Sequence, residues 1–321
     1  MESKPQAAKL PKSRFENFKR VMQPRIKEIR FIFKRIRESP LSIAGLILVS
    51  YNLIIALFAP VLAPPKLYNP YLIPRDPELG FKIDPSPPSP THPFGTTRLS
   101  IDLYYGCIWG TRFAFQIGLE IIGATLVIGL VLGMLAGYYG GLIDEIIMRF
   151  TDIILAFPGL ILAMAFVATL SRAGWNTLDA ALLSIILIGW PGYVRLIRGE
   201  VLRVKTEDYI EAAKASGATD LRIMLRHILP NSIYSLIVVV TLDFGGIVLT
   251  AAALSFLGLG APPGYADWGK LIYDSISYAG QGFKYWWVYT VPGIFIVLFV
   301  LGWNLLGDAL RDVLDPLYRR K

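Results

Sequence analysis

The sequence predicts an all-α integral membrane protein with six transmembrane helices and both termini in the cytoplasm. Three observations carry this. Of 321 residues, 54% are hydrophobic and only 17% charged, where soluble domains run near ~25% charged. The apolar residues collect in runs long enough for a hydrocarbon core of ~30 Å. The cations segregate: 24 of the 32 Lys and Arg fall in segments on one side of the six runs and 8 on the other. Cations accumulate on the cytoplasmic side of membrane proteins, so this asymmetry sets the direction of every span. The formal charge of +8 is therefore a topology signal, and no nucleic-acid partner is expected.

Residues 1–40 form a basic cytoplasmic tail, too polar for a signal peptide. Within it Ile26, Ile29, Phe33 and Ile36 fall on one helical face, and Arg25, Lys27, Arg30, Lys34, Arg35 and Arg37 cover much of the rest. That pattern suits a helix lying on anionic membrane lipid; a solvated basic tail is the plainer alternative. The first span is 41–63. Residues 64–112 are rich in proline, which fixes the backbone and removes donors, and are read as an extended extracytoplasmic loop. A core at 113–308 follows, with spans at about 113–138, 150–170, 178–197, 232–257 and 287–306. Residues 309–321 are a cytoplasmic C-terminal tail.

One polar, basic island interrupts the core at 199–231. In it Thr206 can cap a short helix whose first turn holds Glu207 and Asp208, acids that suit the positive end of a helix dipole. Ala212, Ala213 and Ala215 keep that helix slim, and Gly217 offers the left-handed conformation that ends helices. Thr219 and Asp220 can start a second helix. Its Leu221, Met224, Leu225 and Ile228 share one apolar face, and Arg222 and Arg226 lie one turn apart on another. Pro230 is expected to close the unit, because it cannot continue the hydrogen-bond ladder. A small-residue helix, a hinge and an amphipathic helix make a shape suited to docking in another protein's groove.

This island resembles the EAA loop of ABC-importer permeases through Glu211, Ala212, Ala213, Gly217, Leu229 and Pro230 at the loop's spacing, with His227 at a usually apolar position. RHILPN at Arg226 is closer to the dipeptide, oligopeptide and nickel branch. The wider chain is similar to the C-type permease subunit of that branch over most of its length. HPFGT at His92, AGYYGGLIDEIIMRFTDIILAFPGL from Ala136, WPGYVRLIRGE from Trp190, LSFLGLG from Leu254 and NLLGDALRDVLDP from Asn304 come in the family's order. Two stretches depart from it: TRLSIDLYYG after HPFGT, and Ala251 where Glu is common.

The resemblance implies the ABC type I importer permease fold and a subunit of a binding-protein-dependent, ATP-driven importer in the cell's inner membrane. Its implied partners are a second, different permease chain, two ATP-binding subunits docked on the EAA-type loops and an extracytoplasmic solute-binding protein. Glu211, Ala212, Ala213, Gly217, Arg222, Arg226, Leu229 and Pro230 would carry the coupling to the ATPases. Dipeptides or oligopeptides are the leading solute, with oligosaccharide or nickel as the alternative within the branch. A channel or secondary transporter acting alone would leave this loop without a purpose.

Other features weigh against chemistry on this chain. Gly264 to Lys270 fits G-x-x-x-x-G-K, but Leu271 stands where Ser or Thr would hold magnesium and no strand precedes it. It is read as a surface loop, and ATP hydrolysis is expected on partner subunits. With one cysteine, Cys107, and two histidines, His92 and His227, on opposite sides of the membrane, no disulfide, metal site, cofactor or catalytic triad is expected. Gly129, Gly133 and Gly137 place three small residues in line for close helix packing. Pro158 and Pro191 are each expected to break a span's ladder locally. Asp243 and Glu120 fall within spans, where a carboxylate costs roughly 2.5–3.5 kcal/mol and so faces a wet cavity or a partner. Both are candidates for the translocation path, with a structural hydrogen bond as the plainer role.

Overall fold

The computed structural model describes residues 37, 39–75 and 82–314. The interfacial helix expected before residue 37 and the end of the C-terminal tail lie outside the described residues. Within them, the long elements are α1 (Pro40–Leu62), α2 (Leu103–Tyr139), α3 (Gly141–Leu155), α4 (Gly159–Arg172), α5 (Thr177–Lys205), α6 (Asp208–Ala215), α7 (Asp220–Ile223), α8 (Leu229–Phe256), α9 (Trp268–Asp274) and α10 (Trp287–Leu314). Three isolated bridges are the β-type pairings among the described residues. Among the described residues five helices are long and apolar enough to cross a membrane, and α3 with α4, bent by 93°, makes a sixth if the pair is taken as one broken span.

The tightest pairing is α2 against α5, and the glycine ladder explains it. A Cβ on Gly129, Gly133 or Gly137 would meet Tyr193, Ile197 or Val201 respectively, each well inside contact distance. Both rows advance by four residues, so two i±4 ridges interdigitate at close approach. Elsewhere α10 packs against α1 and α8, and α4 against α5. An aromatic cluster of Phe115, Phe244, Phe299 and Trp303 joins α2, α8 and α10, with Phe244 stacked on Trp303 at 4.2 Å.

Several sequence expectations need correction. The second span begins ten residues earlier than expected, so 103–112 is helix and not loop. Asp102 starts it: its carboxylate accepts from the Tyr104 and Tyr105 backbone N–H groups, relieving two of the donors a helix start leaves unpaired. The break expected at Pro158 is present and larger than a local one, because Pro158 cannot donate and disfavours helical backbone at Phe157; α3 ends at Leu155 and α4 starts at Gly159, bent by 93°. Pro191, by contrast, sits inside an uninterrupted α5. The stretch at Gly264 to Leu271 is not a surface loop. Trp268, Gly269, Lys270 and Leu271 are buried in α9, which wedges between α8 and α10. Gly269 permits this, since a Cβ there would overlap the Ala252 carbonyl.

Candidate functional site

The island after α5 folds as expected at its hinge and differently at both ends. Gly217 adopts φ +79°, the left-handed conformation foreseen for it, and the Ala218 N–H returns to Ala213 O at 3.1 Å. Thr206, however, does not cap α6. Its hydroxyl donates to Arg203 O at 2.9 Å, closing α5 instead, and Glu207 takes the N-cap position without a side-chain bond. A hydroxyl one residue past a helix finds the open carbonyls there before it can reach forward.

Pro230 does not end the second helix. From Met224 to Ile228 the ladder widens to a π turn, and the Leu229 N–H bonds Met224 O, five residues back. A proline cannot donate to the residue four before it and its ring crowds that carbonyl. The π turn shifts the ladder by one residue just ahead of the ring, so α7, the π turn and α8 run on as one body from Asp220 to Phe256. The extra residue also rotates the faces. Ile223, Met224 and Ile228 are buried, whereas Leu221 and Leu225, expected on the same side, are exposed. Glu211, Ala212, Arg222, Arg226 and Pro230 are exposed as well, and Ala213 and Leu229 are partly so. The loop thus presents apolar Leu221 and Leu225 beside two arginines.

What holds the loop was not legible from the EAA-type residues. Tyr138, at the end of α2, donates its hydroxyl to Asp220 Oδ1 at 2.6 Å. Its carbonyl accepts from Lys205 Nζ at 2.5 Å, and Lys205 and Lys214 lie 5.6 and 5.9 Å from its ring centre. One residue therefore joins the ends of α2 and α5 to both loop helices. Two further ties brace this end. Glu200 accepts from Ser235 at 2.7 Å, linking α5 to α8, and Arg198 grips Asp144 of α3 through two bonds at 2.5 and 2.6 Å. Such charged, two-point contacts fix orientation as well as distance.

The two candidate path acids are not together. Asp243 on α8 is half-buried and within electrostatic reach of the Tyr193 hydroxyl on α5, which forms no bond of standard geometry. Glu120 is exposed on α2 and accepts from Gln116 Nε2 at 2.9 Å. At the opposite end of the bundle the HPFGT segment has a defined place. His92 Nδ1 lies 3.1 Å from the second oxygen of Asp102, the residue that starts α2, and Trp287 Nε1 donates to Thr96 O at 3.1 Å. The divergent stretch after it therefore supplies a helix cap held by the buried histidine.

The family described as the binding-protein-dependent transport system inner membrane component matches residues 129–320. The chain belongs to this family. It is 40% identical over 291 residues, 89% of each chain, to the dipeptide transport system permease protein DppC of Alkalihalophilus pseudofirmus. It is 37% identical over 281 residues to the probable D,D-dipeptide transport system permease protein DdpC of Escherichia coli, covering 88% of this chain and 89% of that one. The oligopeptide transport system permease protein OppC of Bacillus subtilis is 33% identical over 286 residues, covering 89% and 88%. In fold the chain is similar to the MetNI methionine ABC transporter in an inward-facing form. The TM-score is 0.53 at 21% identity, covering 65% of this chain and 96% of that one. As a family member this chain is a multi-pass inner-membrane permease that works with a solute-binding protein and an ATPase.

Proposed function

We propose that this chain forms one half of the path of an ATP-driven peptide importer, paired with a second, different permease chain and two ATP-binding subunits. The observation that carries the reading is the exposed loop from Glu211 to Pro230, with Leu221, Leu225, Arg222 and Arg226 presented outward. It is continuous through the π turn with a helix that crosses the bundle. A partner that pushes on Leu221 or Leu225 moves α8 directly, and through Tyr138 and Asp220 it moves α2. The loop faces the cytoplasm in this reading, as the cation asymmetry requires. Both termini then lie there too, and α9 with the HPFGT segment faces the binding protein. Asp243 and Glu120 are assigned to the path. Identities of 40% and 37% to permeases named for dipeptide transport support peptides as the solute.

The test is to purify the complex through a tag on this chain and reconstitute it with its binding protein. An ATPase and a second permease chain should co-purify, and a peptide mixture should stimulate ATP hydrolysis. Stimulation by an oligosaccharide mixture and not by peptides would move the solute to the alternative within the branch, and absence of any ATPase would overturn the reading.

A further inference from the structure

The exposed side of α2 carries a polar track that lies ahead of the glycine ladder along the helix and is separate from it. Arg112, Gln116 and Glu120 recur at four-residue spacing and are all exposed, so they form one row along the helix. Tyr71, from the loop before α2, joins them: its hydroxyl donates to Gln116 Oε1 at 2.6 Å, and Gln116 passes the chain on to Glu120 at 2.9 Å. Tyr71 is held rigidly, edge-on to Trp109 at 5.8 Å and against Phe113 at 5.3 Å. Arg112 lies 5.6 Å from the Trp109 ring centre. A cavity of about 300 Å³ opens at this end of the row, bounded by Tyr68, Tyr71, Trp109 and Arg112.

Depth can be read from one bond. Trp109 Nε1 donates to Ala63 O at 2.8 Å, which sets Trp109 level with the end of α1. Glu120 lies eleven residues further along α2, about 16 Å at ~1.5 Å per residue, near the middle of a ~30 Å hydrocarbon core. Among the described residues neither Arg112 nor Glu120 has an ion-pair partner. An exposed carboxylate at that depth is sustained by water or by a charged ligand and not by lipid.

The arrangement therefore has a cation at the outer mouth, an acid at mid-depth and a neutral amide between them. Arg112 and Glu120 are eight residues apart, about 12 Å along the axis. Three extended residues span roughly 10–11 Å, and both side chains are long and flexible. We propose that Arg112, Gln116, Glu120 and Tyr71 line the translocation path and take a short peptide by its two charged ends. The carboxylate sits on Arg112, the ammonium on Glu120, and a peptide-bond group on Gln116. This rests on the peptide-importer reading above. Contacts of this kind, wet and made by long, exposed side chains, orient the solute without holding it tightly, as passage requires.

The experiment uses the complete complex in liposomes with saturating binding protein and a tripeptide. If the unaltered complex shows no tripeptide-stimulated ATP hydrolysis, the peptide reading falls and this proposal with it. With stimulation established, Glu120→Gln and Arg112→Gln are each expected to lower uptake per ATP hydrolysed about tenfold while hydrolysis continues. Leu119→Ala, on the exposed flank beside the row, should leave uptake unchanged. Unchanged uptake in Glu120→Gln overturns the proposal while leaving the peptide reading intact. So does loss of the second permease chain from the purified variant, which would make the row a subunit seam.

Discussion

Asp267 shows how much one side chain can decide. It is buried, caps α9 by accepting from the Lys270 N–H at 2.8 Å, and lies outside the spanning helices. Burial pushes its carboxyl up to about 6, although bonds from the Lys270 and Gly269 backbone, the Ser255 hydroxyl and the Lys270 charge pull the other way. Lys270 is itself buried and paired with Asp274 at 3.1 Å, so its charge is shared. Because the folded chain holds the Asp267 proton more tightly than the unfolded chain, stability conferred by the neutral form is present below about pH 4 and is lost as pH rises to about 6. A shift of this size corresponds to roughly 2–3 kcal/mol. Thermal unfolding of the purified protein between pH 4 and 7 should show this decline, and Asp267→Asn should flatten it. An unchanged profile in the variant would mean that other groups govern the window.

At the scale of elements, the joint between loop and bundle is where sequence and structure part most usefully. The hinge at Gly217, the slim alanine helix and the glycine ladder of α2 were all legible, because each follows from one residue type in one local conformation. The broken third span was legible in part, since Pro158 flagged a disturbance but not a 93° turn. The π turn before Pro230 and the cap at Asp102 were not. The first depends on the chain beyond the proline continuing as a packed helix. The second depends on Asp102 being held by His92, ten residues away. Tyr138 escaped for the same reason, since its four contacts come from residues 67 to 82 positions distant. Its bond to Asp220 is of the charged kind, worth about 1.5–3 kcal/mol. Tyr138→Phe keeps the ring and removes that bond. The variant should assemble, bind its ATPase and hydrolyse ATP, but move several-fold less solute per ATP. Asp220→Asn, which keeps an acceptor for the Tyr138 hydroxyl, should retain most of the ratio. Gly217→Val should uncouple more severely: nothing lies within 4 Å of a Cβ there, yet φ +79° disfavours a β-branched residue by at least ~1–2 kcal/mol, so the angle between α6 and α7 must change. A normal solute-to-ATP ratio in both Tyr138→Phe and Gly217→Val would show that the loop does not transmit the stroke.

For the whole molecule, the question is which end faces which compartment. The loop end is cation-rich: Arg195, Arg198, Arg203, Lys205, Lys214, Arg222 and Arg226 all fall between 195 and 230. The other end carries α9, His92 and the mouth of the polar track. Cations accumulate on the cytoplasmic side of membrane proteins, which puts the loop end there, and the chain offers a direct way to check it. Its single cysteine, Cys107, is fully buried, so the unaltered protein should resist a membrane-impermeant maleimide from both sides. Leu225 is 52% exposed at the loop end and Tyr68 is fully exposed at the other. Leu225→Cys should therefore label in inverted vesicles and not in intact cells, and Tyr68→Cys should do the reverse. Bound ATPase should also shield Leu225→Cys, since a docked partner covers that face, and ATPase removal should restore labelling. The opposite sidedness would put the loop away from ATP and overturn the importer reading. Correct sidedness without shielding would keep the topology and move the docking surface off Leu225.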